Sequence, residues 1–247
     1  MDNSDNKVIK AVDLTKKFGN FLANSNLNFE VEKGEIFGFL GANGAGKTTA
    51  IRIMCGLLEP TSGKLEVAGF DAFHQREKIK QSIGYMSQKF SMYQDLTVEE
   101  NIRLYAGIYG MQRKVIAERT DFLLNKLGMF SSKKTLIADL PLGWRQKLAF
   151  SVAIFHQPKI VFLDEPTGGV DPITRRQFWD LIYAASDEGI TVLVTTHYMD
   201  EAEYCQRVSI MVDGRIDALG TPLELKQKYE SDSMNDVFIR IARPDWK

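Results

Sequence analysis

The chain has 247 residues, 44% of them hydrophobic and 26% charged, with a formal net charge of −1. This is the composition of an ordinary globular domain, long enough for one core with an inserted subdomain. The balanced charge, spread along the chain, argues against a nucleic-acid-binding face. Two distant cysteines, Cys55 and Cys205, argue against a disulfide or zinc framework and fit a reducing compartment.

The opening MDNSDNKVIK is polar and has no signal-peptide core, and no apolar run approaches the ~18 residues of a membrane span. A membrane role is therefore expected to come through a partner. Residues 8–14 and 27–31 carry apolar side chains at spacing two, which predicts strands, with turns at Gly19-Asn20 and Lys33-Gly34. Residues 35–40 are a short apolar run that feeds a glycine-rich loop. Residues 47–58 predict a helix, ended by Glu59-Pro60-Thr61-Ser62-Gly63. Strands are expected at 64–67 and 83–86, on either side of a short helix at 78–81.

The pattern changes near Thr97. Thr97 stands three residues before Glu100, a capping-box spacing. Amphipathic helices are expected at 98–109 and 114–127, and a third at 144–156. Strand–helix alternation then resumes with strand 160–163, helix 173–186, strand 191–195, and short strands at 207–212 and 215–218. The polar stretch 230–236 predicts a loose connection to the C-terminus. The expected fold class is α/β: a P-loop NTPase core with a parallel sheet, an antiparallel β subdomain and an inserted α-helical subdomain.

The loop Gly41-Ala42-Asn43-Gly44-Ala45-Gly46-Lys47-Thr48 matches GxxxxGK[ST]. Glycines let the backbone turn so that successive N–H groups face phosphate, and the following helix offers its positive end to the same anion. Lys47 is expected to reach the β- and γ-phosphates of a nucleoside triphosphate, and the Thr48 hydroxyl to ligate Mg²⁺. The buried run Ile160-Val161-Phe162-Leu163 ends in Asp164-Glu165, at the sheet edge where ligands of open α/β folds collect. Asp164 is expected to hold Mg²⁺ directly or through water, and Glu165 to polarise the attacking water.

Asp164-Glu165-Pro166-Thr167 followed by Asp171-Pro172, together with Leu193-Val194-Thr195-Thr196-His197, makes the sequence similar to the ATPase subunits of ABC transporters over nearly its whole length. Gly214-Arg215-Ile216, Ala218-Leu219-Gly220-Thr221-Pro222 and, more loosely, Asn235-Asp236-Val237-Phe238-Ile239 resemble the ABC-2-type drug exporters. The resemblance implies one nucleotide-binding domain over 1–247: a RecA-like core at about 1–90 and 157–222, a helical subdomain at about 91–156 and a short tail at about 223–247.

It also implies roles for single residues. Phe18 takes the place of the aromatic that stacks on adenine, although an aromatic at a strand end equally reads as core. Asn43, Gly44, Ala45, Gly46, Lys47, Thr48 and Thr49 hold the phosphates of ATP. Gln88 resembles the glutamine that touches Mg²⁺ and the water and reports to the membrane subunit. His197 resembles the switch histidine on the γ-phosphate, whereas His74 and His156 read as structural or surface residues. Asp171 matches the loop that couples two facing ATPases.

The implied partners are an integral-membrane permease and a second ABC ATPase, identical or not. The implied place is the cytoplasmic face of the membrane, with no nucleic acid involved. The segment Lys89-Phe90-Ser91-Met92-Tyr93 and the helix near Val98 are the expected groove for a permease helix, since three large apolar side chains stand in a loop; the alternative is that Phe90 and Met92 cover the chain's own core. A soluble ABC ATPase acting on DNA or ribosomes is the alternative, but the sequence carries neither the long coiled coils nor the second ATPase half with a basic linker. A small-molecule P-loop kinase leaves Asp171 and His197 unexplained.

One departure matters. Where the family has Leu-Ser-Gly-Gly-Gln, this chain has Leu140-Pro141-Leu142-Gly143-Trp144, followed by Arg145-Gln146-Lys147. In the family this motif reaches the γ-phosphate held by the facing subunit. Pro141 supplies no hydroxyl and no N–H, and Leu142 crowds the backbone. Either Trp144 or Arg145 fills the missing contacts, or the composite site is weak and the chain pairs with an ATPase whose motif is intact.

Overall fold

The computed structural model describes residues 6–88 and 92–242. Strands β1 (Lys7–Phe18) and β2 (Phe21–Glu32) form an antiparallel hairpin, with Phe18 opposite Phe21 at the turn. Strand β4 (Ser62–Val67) pairs with β1, and β5 (Phe70–Asp71), too short to show periodicity, pairs with β4. The second sheet has the order β10-β9-β3-β8-β7-β6. Its members are β3 (Ile36–Gly41), β6 (Ile83–Met86), β7 (Ile160–Asp164), β8 (Thr191–Thr196), β9 (Arg207–Val212) and β10 (Arg215–Gly220). All its pairs are parallel except β9 with β10. Strands β3, β7 and β8 are buried at every position, which is why each carries consecutive apolar residues with no polar–apolar alternation.

Helix α1 (Lys47–Met54) follows the glycine loop and ends four residues before the expected boundary. Gly56 adopts φ 70°, and Leu57 and Leu58 both donate to Arg52 O, so the chain closes its own C-terminus there. Helix α2 (Arg76–Ser82) precedes β6. Helices α3 (Val98–Ile108) and α4 (Arg113–Lys126) match their expected positions, and the capping box is complete: the Glu100 N–H donates to Thr97 Oγ1 (3.3 Å) and the Thr97 N–H donates to Glu100 Oε2 (2.8 Å). Helix α5 (Leu142–Ala153) starts two residues earlier than expected, so Pro141 is its N-cap and Gly143 lies in its first turn. Helix α6 (Pro172–Asp187) precedes β8.

Two cores flank the parallel sheet. On one face, α1 and α2 pack between it and the antiparallel sheet, where Phe29 of β2 meets Phe39 of β3 edge to face at 5.0 Å. The other face is covered by α3, α5, α6 and the C-terminal elements. Helix α5 lies so close to β6 that a Cβ on Gly84 would come within 2.1 Å of Ala153 O, which requires glycine at that position.

Two expectations fail here. Residues 230–236 are not a loose connection: α7 (Pro222–Lys228) is followed by α8 (Met234–Ala242), which buries Met234 and Val237 and packs Phe238 and Ile241. Their spacing is the helical i, i+3, i+4, i+7 stripe, and Ser233 accepts the Asp236 N–H as a cap. Met92 also departs from its expected role. It is buried, at 5% exposure, in the core under α3, so it packs inward and offers no partner surface, while Tyr93 is half exposed. Lys89, Phe90 and Ser91, the rest of that expected groove, lie outside the described residues.

Candidate nucleotide site

The glycine loop is braced from both sheets. Asn24 of β2 donates to Gly46 O (3.2 Å), and the Gly214 N–H of the β9–β10 turn donates to Ala45 O (3.1 Å). Gly46 sits at φ 99°, and a Cβ there would meet Ala23 O at 2.6 Å, so the motif needs glycine for conformation and for space. Asn43 and Gly44 are exposed at the loop tip, and Thr49 is half buried in the first turn of α1. No side chain caps α1, which leaves its first N–H groups facing the loop.

Lys47 is 4% exposed and arches back over the loop. Its Nζ donates to Gly41 O (2.8 Å) and Ala42 O (3.1 Å) and lies 3.6 Å from Glu165 Oε1. Burial pulls its pKa below the usual lysine value, against the pull of Glu165 and Asp164. Asp164, at the end of β7, accepts from Thr48 Oγ1 (3.2 Å) and Thr195 Oγ1 (2.7 Å). Burial raises its pKa, and the Thr195 and Thr48 hydroxyls oppose that rise.

Glu165 adopts φ 50°, rare for a residue with a side chain. The conformation is held by β8: the Glu165 N–H donates to Thr195 O (3.2 Å) and Thr195 Oγ1 (3.0 Å). The turn aims its carboxylate into the site. Gln88 Nε2 donates to Glu165 Oε2 (2.8 Å), and His197 Nδ1 lies 3.2 Å from the same oxygen without hydrogen-bond alignment. The structure thus brings Lys47, Thr48, Gln88, Asp164, Glu165 and His197 together. Phe18 stands half exposed at the hairpin turn of the strand pair whose Asn24 touches the loop, with Lys16 Nζ 5.0 Å from its ring centre. His74 is exposed, and His156 is stacked on Tyr109 at 3.5 Å, as their structural reading expects.

Thr195 was missed as a functional residue. Its single hydroxyl donates to Asp164 and accepts from the Glu165 N–H, so it orients both acids. The signal was available in the threonine pair that follows the apolar run Val192-Leu193-Val194, but it acquires meaning only from the register that sets Thr195 beside Asp164.

Pro141, Leu142, Gly143, Trp144 and Asp171 gather elsewhere on the surface, lining a shallow cavity of about 350 Å³. Asp171 caps α6, accepting from the Ile173 and Thr174 N–H groups (both 3.0 Å) and the Thr174 hydroxyl (2.5 Å), and that hydroxyl is the main reason its pKa is lowered. A Cβ on Gly143 would come within 2.6 Å of Thr174 Cγ2, so α5 and α6 meet at this glycine. Arg145 is not free to replace the missing contacts: its guanidinium folds back to Leu140 O (2.6 Å) and Ala138 O (2.9 Å). Trp144 stacks near Lys147 Nζ, at 5.1 Å.

A braced glycine loop, a buried lysine and a strand-end acid pair define a P-loop nucleotide-binding protein. Residues 24–168 match the ABC transporter family. The chain is 47% identical over 244 residues to the probable multidrug ABC transporter ATP-binding protein YbhF of Escherichia coli, covering 97% of this chain and 42% of that relative. It is 37% identical to the bacitracin transport ATP-binding protein BcrA of Bacillus licheniformis, over 85% of this chain and 68% of that one. A solved ATP-binding subunit of an ABC transporter superposes with a TM-score of 0.86 at 26% identity, covering 96% of this chain and all of the other. An ATP-binding cassette solved as a dimer with ADP and phosphate gives 0.78 at 25% identity, over 86% of this chain and 98% of that one. The chain belongs to the ABC transporter family, on the side of its ATP-binding proteins.

Proposed function

We propose that this chain binds and hydrolyses ATP to drive an ABC-2-type exporter, by closing head to tail on a second ATP-binding cassette at the cytoplasmic face of a membrane. The observation that carries the reading is the convergence of Gln88 and His197 on Glu165, beside the Lys47 loop. The names of the relatives, multidrug and bacitracin transport proteins, support export of drug-like compounds. The dimeric cassette with ADP and phosphate supports closure in pairs. Among the described residues no helix is long and apolar enough to cross a membrane, so the path for the substrate falls to an integral-membrane permease. Tyr93 and the exposed side of α3 are the surface we assign to it.

The donor set near Asp164 fits Mg²⁺. The Thr48 hydroxyl and the Asp164 carboxylate are hard oxygens held together, and no cluster of three or more His, Cys, Asp or Glu exists among the described residues to make a complete protein cage. Bound there with the nucleotide, Mg²⁺ neutralises charge on the phosphates.

The chain's own groups do the rest. The loop N–H groups and Lys47 grip the phosphates. Glu165 accepts a hydrogen bond from the attacking water and polarises it, Gln88 holds that carboxylate in place, and His197 donates toward the γ-phosphate. Glu165→Gln should bind ATP and trap the closed pair while turnover falls by about 10²–10⁴-fold. Full activity in that variant would remove Glu165 from the role of base.

A further inference from the structure

A second network lies behind the acid pair. Thr167, Arg175 and Glu201 follow Glu165, Asp171 and His197 by two, four and four residues. They converge in space. Glu201 is fully buried at 0% exposure, and Thr167 is 1% exposed. The Thr167 hydroxyl donates to Glu201 Oε1 at 2.6 Å, and Arg175 Nε lies 3.6 Å from the same oxygen. Arg175 also reaches Asp200 Oδ2 at 3.4 Å and stacks its guanidinium over Tyr198 at 4.3 Å. One buried carboxylate therefore ties together three segments: the loop after Glu165, the start of α6 after Asp171, and the 3-10 turn Met199–Tyr204 after His197.

A buried carboxylate without its partners is costly, so this point resists displacement of any one segment alone. The loop is gripped from its other side as well, since Gln146 Nε2 of α5 donates to Gly168 O at 3.1 Å. Glu201 is sealed from solvent and cannot touch nucleotide. Its effect on chemistry must pass through the groups it holds.

We propose that Glu201 is a positioning residue for hydrolysis, holding the Glu165 loop and the His197 turn in one register through Thr167 and Arg175. The proposal rests on the hydrolytic role given above. Glu165 must sit within hydrogen-bond reach of water while His197 meets the γ-phosphate, and an error of about 1 Å between them costs on the order of 10²-fold in rate. Nucleotide affinity is set by the glycine loop and the hairpin, which this network does not contact.

The test compares Thr167→Val, Thr167→Ser and Glu201→Gln in the full chain. Valine keeps the shape and deletes the hydroxyl, while serine keeps the hydroxyl. Steady-state ATP hydrolysis, ATP binding by calorimetry and amide hydrogen exchange are measured on each. Thr167→Val and Glu201→Gln should lower kcat at least tenfold with ATP affinity within twofold, and Thr167→Ser should retain kcat within threefold. Exchange should rise in residues 165–171 and 197–204 and stay unchanged in β3 and α1.

A kcat within twofold of the parent in Thr167→Val overturns the proposal. So does a parallel loss of kcat, affinity and exchange protection across the whole sheet, which marks a merely structural role. Should Glu201→Gln fail to fold, the valine–serine pair decides. A parent chain that binds ATP but does not hydrolyse it refutes the hydrolytic reading instead, and the exchange pattern then decides whether Glu201 holds the two segments together.

Discussion

Pro141→Ser tests how far the unusual helix start limits the composite site. Position 141 is the N-cap of α5, at φ −57° and ψ 148°, and no side chain caps this helix. Those angles suit an N-cap serine, whose oxygen would accept the Gly143 or Trp144 N–H and still donate its own proton outward. The new cap is worth about 0.5–2 kcal/mol, and giving up proline's fixed φ costs about 0.4–1 kcal/mol. The folded state should therefore change little, with a melting shift of no more than about 4 °C for a domain of this size.

The outward proton is a separate quantity. A hydrogen bond to a charged phosphate contributes about 1.5–3 kcal/mol, a ten- to hundredfold effect on a rate that depends on it. Arg145 is already committed to Ala138 and Leu140, so nothing on that side chain compensates in the parent. Leu142 still crowds the approach, which sets the expectation at the lower, tenfold end. The assay is ATP turnover at saturating Mg-ATP by the chain reconstituted with the permease proposed above, beside thermal melts. A turnover change below twofold with an intact melt would show that Pro141 does not limit hydrolysis.

Three further outcomes follow from burial and charge. Met92→Ala should cost about 2–5 kcal/mol of stability, seen in denaturant unfolding, whereas Tyr93→Ala should leave stability nearly unchanged and weaken co-purification with the permease. Burial raises the Asp164 carboxyl, so its stabilising protonation is complete at low pH and is lost as pH rises through the elevated folded value. Asp164→Asn should accordingly melt higher than the parent at pH 7 and lose its stabilisation by Mg-ATP. Burial holds His156 near a pKa of about 4, below its ordinary 6.5, so its contribution is intact above that ordinary value and drains away as pH falls toward 4. The loss is at most about 3 kcal/mol, and His156→Phe, which keeps a ring on Tyr109, should flatten this acid limb in melts from pH 7 to 4.

The parallel strands were legible because burial on both faces leaves consecutive apolar residues, and α3 because Thr97 and Glu100 write its start into the chain. The phosphate loop and the acid pair were legible because their chemistry forces residue type and spacing. Other features were not. The true start of α5 was not legible because Pro141, at its N-cap position, offers no capping side chain to mark it. Met92 shows the limit of hydropathy: an apolar residue in a loop can face either way, and only the packing under α3 decides. The orienting role of Thr195, and the meeting of Thr167, Arg175 and Glu201, depend on strand register and on contacts between segments far apart in sequence.

Lys47 carries one further implication. Its ammonium already has two carbonyls and a carboxylate for company within the loop that nucleotide must enter. Phosphates bound by this loop would share that ammonium with the protein's own oxygens. The same side chain links the backbone of the glycine loop to the acid that follows β7, so a substitution at Lys47 would disturb both.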